Sequence, residues 1–146
     1  MSERIAAPLV RLVRTRAGEL CEYCRLPQWS QEATFHIDHI NPTTAGGPTT
    51  VENLALACVT CSLRKAARTA GRDPKSGAVA LLFHPRRQSW EVHFRWTRTW
   101  RVLGRTPTGR ATIVALGMNR AAIVQLRQIW AELGHFPPPQ SEPNSS

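Results

Sequence analysis

The sequence predicts a small α+β domain stapled by a metal ion, and three patterns support that prediction. Two Cys-x-x-Cys pairs enclose a short apolar segment that is typical of a strand. Residues 78–102 alternate large apolar side chains with smaller or polar ones, which favours further strands. Apolar side chains recur at helical spacing in the first twenty residues and again after residue 110. Short strands and helices around a metal-stapled centre are therefore expected.

The four cysteines, Cys21, Cys24, Cys58 and Cys61, are the predicted ligands of a structural zinc ion. Each Cys-x-x-Cys pair can bend two thiolates toward one point, and two pairs complete the tetrahedral set that zinc prefers. The alternatives are two disulfides or buried thiols without a metal. Disulfides require an exported chain, and the N-terminal residues show no export signal. The stretch between Cys24 and Cys58 is long enough to hold a small element of its own, where we expect the chemistry.

Asp38 and His39 are the candidate catalytic pair. Apolar residues at 35, 37 and 40 predict a short strand over 35–40 that ends before Pro42. Neighbouring strand residues point to opposite sides, so the two side chains can flank one phosphate. A carboxylate can hold a hard divalent cation, and a neutral imidazole can take a proton from water. Asp38 is therefore the predicted cation ligand and His39 the predicted general base; the alternative is a surface Asp-His pair at a strand end.

The loop after this strand contains Gly46-Gly47-Pro48, which is free to adopt positive φ angles. Thr49-Thr50 is expected to cap the turn that leads into residues 52–54. Asn53 can pin the loop by hydrogen bonds from its side chain to the backbone, which would fix where the strand presents His39. The alternative interpretation of Asn53 is an ordinary turn residue.

The order of these motifs resembles the HNH endonuclease family, in the subgroup whose ββα-metal finger is supported by a four-cysteine zinc. The motifs are Cys-x-x-Cys, Asp-His-Ile-x-Pro, Gly-Gly, Asn-Leu, Cys-x-x-Cys and a following Lys, within residues 21–65. The resemblance implies two strands and a helix that hold one catalytic Mg²⁺ or Mn²⁺ ion, with DNA cleavage as the activity. By position, Asp38 matches the metal-binding acid, His39 the general base and Asn53 the loop-ordering residue.

Ser62 departs from the family pattern. The position after the last cysteine usually carries Asn or His, which supplies the second protein ligand to the catalytic cation. The resemblance therefore assigns Ser62 to that cation together with Asp38, although a hydroxyl is a weaker ligand. Either activity is reduced, or Asp38 holds the cation with more of its waters. His36, on the same strand face as Asp38, is a possible substitute ligand; a packed or solvent-facing histidine is the alternative.

The charge predicts a polyanionic partner, because the chain carries a formal net charge of +9 and has a pI near 10.9. Arg64, Lys65 and Arg68 follow the last cysteine and are candidate phosphate contacts, with a solvated basic helix face as the alternative. The motifs favour DNA over RNA.

The longest apolar run, residues 78–83, is too short to span a bilayer, so no membrane contact is expected. No obligate protein partner is evident, and zinc-bound thiols favour a cytoplasmic location.

Four segments are expected: an N-terminal amphipathic helix in 1–20, the HNH zinc and nuclease module in 21–72, a β-hairpin with helices in 73–135, and a disordered tail in 136–146. Within the module, a helix is predicted from near Ser62 toward residue 70. Strict alternation predicts a strand over 90–96, returned by 100–102 as a hairpin. Its aromatic face is expected in the core, with a base-stacking platform as the alternative.

Residues 110–118 are predicted to form a short helix, and Asn119 to cap a longer one that ends before Gly134. For the whole chain, the resemblance implies an HNH-type endonuclease that hydrolyses DNA phosphodiester bonds with a divalent cation and uses His39 as general base. The alternatives are a DNA-binding zinc module whose cleavage is weakened or lost because of Ser62, and an RNA-directed protein.

Overall fold

A computed structural model describes residues 4–138. The helices there are α1 (Ala7–Arg16), α2 (Val59–Lys65), α3 (Trp90–His93), α4 (Pro107–Leu116) and α5 (Ala121–Glu132). The strands are β1 (His36–His39), β2 (Leu54–Ala57), β3 (Ala70–Arg72), β4 (Val79–Leu81), β5 (Phe94–Trp96) and β6 (Val102–Gly104). Among the described residues, no helix has the length and apolar character of a membrane-spanning segment. The predicted cytoplasmic location stays a prediction.

The strands form three separate antiparallel pairs, β1 with β2, β3 with β4 and β5 with β6. In the first pair His36 lies opposite Ala57 and His39 opposite Leu54. An isolated two-stranded pair is marginal in water, so each pair depends on packing against helices. One buried cluster joins side chains from residue 13 to residue 123, and it takes members from all three segments predicted before the tail. The predicted α+β class is confirmed.

The N-terminal helix docks on the first strand pair. Val13 is fully buried, and strand β2 is buried along its whole length. At the end of α1 the guanidinium of Arg16 donates to the carbonyls of Val51 and Leu54, at 2.8 and 2.7 Å. Gly18 follows the last turn with φ +62°, the left-handed conformation expected of a residue that ends a helix. Helix α1 therefore holds the base of β2 in place.

Helix α2 begins and ends earlier than the sequence predicted. It begins at Val59, after Cys58, whose sulfur accepts a hydrogen bond from the backbone N–H of Cys61. It ends at Lys65 because Ala66 adopts a positive φ of +49°. Residues 70–72, expected at the helix end, form strand β3 instead. Gly71 permits this, since a side chain there would lie only 3.3 Å from Leu82.

Residues 90–96 are a helical turn followed by a strand, so the predicted strand is wrong over Trp90–His93. The rings of Trp90 and Phe94, one helical turn apart, are both buried and lie 5.1 Å apart. Val92, which a strand would place beside them, is 59% exposed. Period-two alternation over so short a run does not exclude a turn of helix that buries the first and fifth residues. The hairpin itself is observed, with Trp96 opposite Val102.

The aromatic side chains of the hairpin belong to the core. Trp96 packs on Trp90 at 5.2 Å and on Phe136 at 5.1 Å, and Trp100 packs on Phe136 at 5.4 Å. Phe136 is itself buried. The tail was expected to begin at this residue, but its ring is part of the packed structure because it fills the space between two tryptophans. Residues 139–146 of the expected tail lie outside the described residues.

Asn119 does not cap helix α5. The helix begins at Ala121 after Arg120, with no side-chain capping bond. The side-chain amide of Asn119 instead pairs with the backbone of Val102: its Oδ1 accepts from the N–H and its Nδ2 donates to the carbonyl, both at 2.7 Å. The amide thus acts like an extra strand residue and joins the α4–α5 connection to β6.

Helix α5 also buries a charged residue within its apolar stripe. Arg127 is 1% exposed, and its guanidinium lies 5.1 Å from the ring centre of Trp96. It donates to the carbonyls of Met118 and Trp100, at 2.7 and 3.2 Å. Arg127 lies four residues after Ile123, on the buried face of the helix. The alkyl stem and the ring contact make this burial compatible with the charge.

Replacement of Asn119 separates its two possible roles. Asn119→Ala removes both bonds to Val102 and is expected to lower the free energy of unfolding by about 1–3 kcal/mol. Asn119→Asp keeps an acceptor but loses the donor and places a carboxylate beside the Val102 carbonyl, so we expect at least the same loss. Urea unfolding of the zinc-loaded protein measures both. A helix cap would tolerate Asp, so wild-type stability of Asn119→Asp would contradict the strand-pairing role.

Candidate nuclease site

The four predicted cysteines meet at one point. Their sulfur atoms all lie within 4.8 Å of one another, and all four residues are buried and free of disulfides. The sulfurs of Cys24 and Cys58 are 3.7 Å apart, far beyond the roughly 2 Å of a disulfide bond. This separation is close to that expected for two sulfurs on one tetrahedral zinc, each about 2.3 Å from the metal. The geometry fits the predicted structural zinc site.

The electrostatics of the cluster also favour a bound cation. Hydrogen bonds from neighbouring thiols lower the pKa of Cys58, whereas contact with neighbouring sulfurs raises the pKa of Cys24 and Cys61. Four thiolates this close together would repel one another unless a cation lay between them. Backbone N–H groups also point at sulfur, from Cys24 to Cys21 and from Cys61 to Cys58. A soft, all-sulfur, tetrahedral donor set fits zinc.

The loop between β1 and β2 is held by Asn53 as predicted. Its Oδ1 accepts from the N–H of Asn41 at 2.9 Å. Its Nδ2 donates to the carbonyls of Asn41 and Pro48, at 3.0 and 2.8 Å. Gly46 has a φ of +83°, and Gly47 lies so close to the Asn41 carbonyl that a side chain there would overlap it. The side chain of Asn53 bonds only to backbone atoms of the loop, so it can affect His39 only by fixing the position of that loop.

His39 and Asp38 point to opposite sides of β1, as the strand pattern predicted. His39 is half-buried, and its Nε2 lies 2.9 Å from the hydroxyl of Thr49 on the pinned loop. Asp38 faces the interior, where its Oδ2 accepts from the hydroxyl of Tyr23 at 3.0 Å and pairs with the ammonium of Lys65 at 3.1 Å. Burial raises the pKa of Asp38, opposed by Lys65 and then by Tyr23.

The side chains of Ser62 and His36 contact each other, and among the described residues Ser62 makes no hydrogen bond to the Asp38 carboxylate that was predicted to share its cation. The hydroxyl of Ser62 lies 2.9 Å from Nδ1 of His36, and both residues are half-buried. His36 shares its strand face with Asp38. In the described chain, no hydrogen bond joins Ser62 to Asp38, and Oδ1 of Asp38 accepts none. A carboxylate oxygen, a hydroxyl and an imidazole therefore lie on one side of β1, and these donors fit a hard divalent cation in kind.

A family model described as HNH endonuclease matches residues 21–68. These residues form an HNH module. The match covers the four clustered cysteines, β1, the pinned loop, β2, α2 and the segment after α2 up to residue 68. Comparison of the chain with curated proteins and with solved structures gives no match. The module supports a nuclease or DNA-binding function in general, as the resemblance implied.

The three basic residues predicted to contact DNA divide into two groups. Arg64 and Arg68 are exposed on the surface of the HNH module. Lys65 is only 2% exposed, and besides Asp38 its ammonium donates to the carbonyl of His39 at 3.0 Å. The interpretation of Lys65 as a phosphate contact is therefore wrong. Helix α2 turns this side chain toward β1, where it neutralises a buried carboxylate.

Two residues of the HNH module support the site but were missed by the sequence analysis. Tyr23, between two zinc cysteines, is fully buried and bonds to Asp38. Glu22 forms an ion pair with Arg86 and accepts from the N–H of Leu56 at 2.8 Å. A tyrosine inside a Cys-x-x-Cys pair indicates that its side chain lies near the site, because a metal held by the two cysteines would fix both its neighbours. Nothing in the sequence indicates the pairing of residues 22 and 86.

Chelation tests whether the cysteine cluster holds the HNH module together. The purified chain is expected to carry one zinc per molecule, and its removal to unfold the module, because metal binding supplies roughly 10 kcal/mol of folding free energy in such sites. The indole N–H of Trp90 donates to the carbonyl of Tyr23 between two of the cysteines, so tryptophan emission should change with zinc loss. Unchanged emission and circular dichroism after complete zinc removal would contradict a structural role.

Proposed function

We propose that the protein is an HNH-type endonuclease that hydrolyses DNA phosphodiester bonds with the help of a divalent cation. The observation that carries the proposal is the placement of His39. It lies on a strand of the zinc-supported module, and it contacts Thr49 on a loop that Asn53 fixes by three hydrogen bonds. Phosphodiester hydrolysis needs a base and a cation at one phosphate, and His39 and Asp38 are adjacent residues of β1 that can flank a phosphate from two directions.

His39 acts as the general base in this proposal. In the tautomer that donates from Nε2 to Thr49, Nδ1 carries the lone pair that accepts a proton. The proton comes from a water molecule, whose oxygen forms a bond to phosphorus. The bond from phosphorus to the leaving sugar oxygen breaks, and that oxygen takes up a proton from solvent. Thr49 and Asn53 act as positioning residues, since they hold the ring and the loop.

Asp38, Ser62 and His36 are the residues that would hold the divalent cation. Mg²⁺ or Mn²⁺ bound there supplies charge stabilisation for the leaving oxygen. Oδ1 of Asp38 is available for this purpose, because Tyr23 and Lys65 both use Oδ2. Arg64 and Arg68 are exposed and would hold the DNA backbone by charge. DNA is the proposed substrate in preference to RNA, because the HNH match favours it.

Plasmid nicking tests the role of His39. The zinc-loaded wild type is expected to nick supercoiled DNA with Mg²⁺ or Mn²⁺, and His39→Ala to be slower by about 100-fold or more, because general-base catalysis contributes a factor of this order. His135→Ala is the matched control, since His135 is exposed and lies outside the HNH module. Equal background cleavage by the wild type and His39→Ala would contradict the proposal.

A second candidate function is DNA binding by an HNH module that does not cleave. Two contacts favour it: the ammonium of Lys65 already neutralises Asp38, and the hydroxyl of Ser62 is paired with His36. A cation entering this site must share the Asp38 carboxylate with Lys65. Such competition weakens cation binding, because two positive charges would lie on the same carboxylate.

Ser62→Asn distinguishes the two candidates by a readout besides cleavage. An amide oxygen is a better ligand than a hydroxyl, so we expect Mn²⁺ to bind this variant several-fold more tightly in calorimetry on the zinc-loaded protein. Thr60→Asn, on the same helix, is the control. The endonuclease proposal expects measurable nicking by the wild type as well. If Ser62→Asn nicks DNA and the wild type does not, the wild type is a DNA-binding module that does not cleave. If Ser62→Asn binds Mn²⁺ no more tightly than the wild type, Ser62 is not part of the cation site.

A further inference from the structure

A cleft of about 460 Å³ lies between the HNH module and the C-terminal segment. One wall is the β1–β2 loop, with Ile40, Asn41 and Pro48. The facing wall comes from the C-terminal segment, with Leu82, Phe83 and His84. Ile40 follows His39 in the sequence, but the side chain of His39 does not line the cleft. Asn53, Lys65 and Arg68 also line the cleft, but the proposed mechanism places no part of the substrate inside it.

The facing wall is held rigidly to the HNH module. Arg86 forms an ion pair with Glu22, next to the zinc cysteine Cys21. The turn over residues 84–88 is closed by its own side chains: Nδ1 of His84 accepts from the N–H groups of Arg86 and Arg87, at 3.2 and 3.3 Å. Since the same Glu22 carboxylate also accepts a backbone bond from β2, both walls are tied to one scaffold. The cleft is therefore preformed.

Positive charge lines the rim of the cleft. Arg68 and Arg87 are exposed there, and Glu52 is the one carboxylate among the described lining residues. Nη2 of Arg68 donates to the carbonyls of Arg64 and Ala115, at 3.0 and 2.9 Å, which leaves Nε and Nη1 for a ligand. The guanidinium of Arg87 makes no hydrogen bond or ion pair within residues 4–138. This rim is suited to a phosphate group.

The interior of the cleft suits a single base. Leu81, which is 69% exposed, provides most of the apolar surface, with the buried Ile40 and Leu82 behind it. The side-chain amides of Asn41 and Gln88 provide donors and acceptors beside it. Gln88 uses its Oε1 to accept from the N–H of His84 at 2.9 Å, so its NH₂ group remains for a ligand. The volume is within the range of pockets that take one small ligand, and it is far too small for a double helix.

We propose that this cleft binds one unpaired nucleotide of the DNA substrate, with the base against the apolar wall and the phosphate at Arg68 and Arg87. The inference rests on the proposed action of the HNH module on DNA. It deepens that proposal, and the substrate class it assigns is DNA with one nucleotide outside the duplex. Apolar contact is tolerant of base identity, so little sequence preference is expected from the cleft.

The test compares two labelled duplexes of equal length, one fully paired and one with a single unpaired nucleotide. Binding of zinc-loaded wild-type protein is measured by fluorescence anisotropy at one salt concentration, without Mg²⁺ or Mn²⁺. We expect about tenfold tighter binding to the bulged duplex, since contact with one base contributes on this order. Arg87→Ala should remove most of that preference. Arg95→Ala deletes the same charge at an exposed site off the cleft and should keep the preference.

Thr69→Trp tests the cleft without a change of charge. Thr69 is exposed and lines the cleft, so a tryptophan there is expected to abolish the preference and retain binding to the paired duplex. Equal affinity of the wild type for both duplexes, or the same preference in Arg87→Ala and Arg95→Ala, would overturn the inference. If the protein nicks DNA in a His39-dependent way but shows no preference for the bulged duplex, only the role proposed for the cleft is contradicted. If it prefers the bulged duplex but does not nick DNA, only the endonuclease proposal is contradicted.

Discussion

Four sulfur atoms are the constraint on which the rest of the HNH module depends. Two of them lie at the start of the module and two at the start of α2, with β1, the pinned loop and β2 between them. Three two-stranded sheets and several short helices offer little independent stability. A zinc ion shared by the two cysteine pairs would fix the distance between β1 and α2, the two elements that carry the candidate site.

A chain of buried polar contacts connects this cluster to the proposed general base. Tyr23, between two cysteines, donates to Asp38; Asp38 pairs with Lys65 on α2; and Lys65 donates to the backbone carbonyl of His39. Removing one partner would leave a buried charge without compensation, which typically costs about 3–5 kcal/mol. The Asp38–Lys65 ion pair therefore stabilises the fold. It also affects the chemistry, because it determines how much of the Asp38 carboxylate is available to bind a cation.

Much of the HNH module could be predicted from the sequence because its signals are local. The two Cys-x-x-Cys pairs, the Asp-His pair on a strand and the Gly-Gly loop with Asn53 are each short patterns that can be read from adjacent residues. The burial of Lys65 could not be predicted in this way, since its direction depends on where α2 begins. Sequence alone allowed a start near Ser62, whereas the sulfur of Cys58 caps the helix four residues earlier.

The C-terminal segment was predicted less well, because its contacts are between distant residues. Asn119 has the sequence signal of a helix cap, but the backbone of Val102 competes for its amide. Trp90 and Phe94 fit both a strand and a helical turn, and packing against the module decides between them. The burial of Arg127 also depends on distant residues, because its guanidinium is buried only where the carbonyls of Trp100 and Met118 accept its hydrogen bonds. Residues 84–88 carry no motif, yet they form one wall of the cleft.

A crystal structure of the full chain bound to a DNA duplex with non-hydrolysable linkages, with zinc and Mn²⁺ located by anomalous diffraction, would test whether the cysteine cluster positions His39 at a phosphate. We expect zinc at the four sulfurs, Mn²⁺ beside Asp38, and a backbone phosphate within one water molecule of the His39 ring. DNA bound on another surface, with His39 facing away from every phosphate, would contradict this expectation.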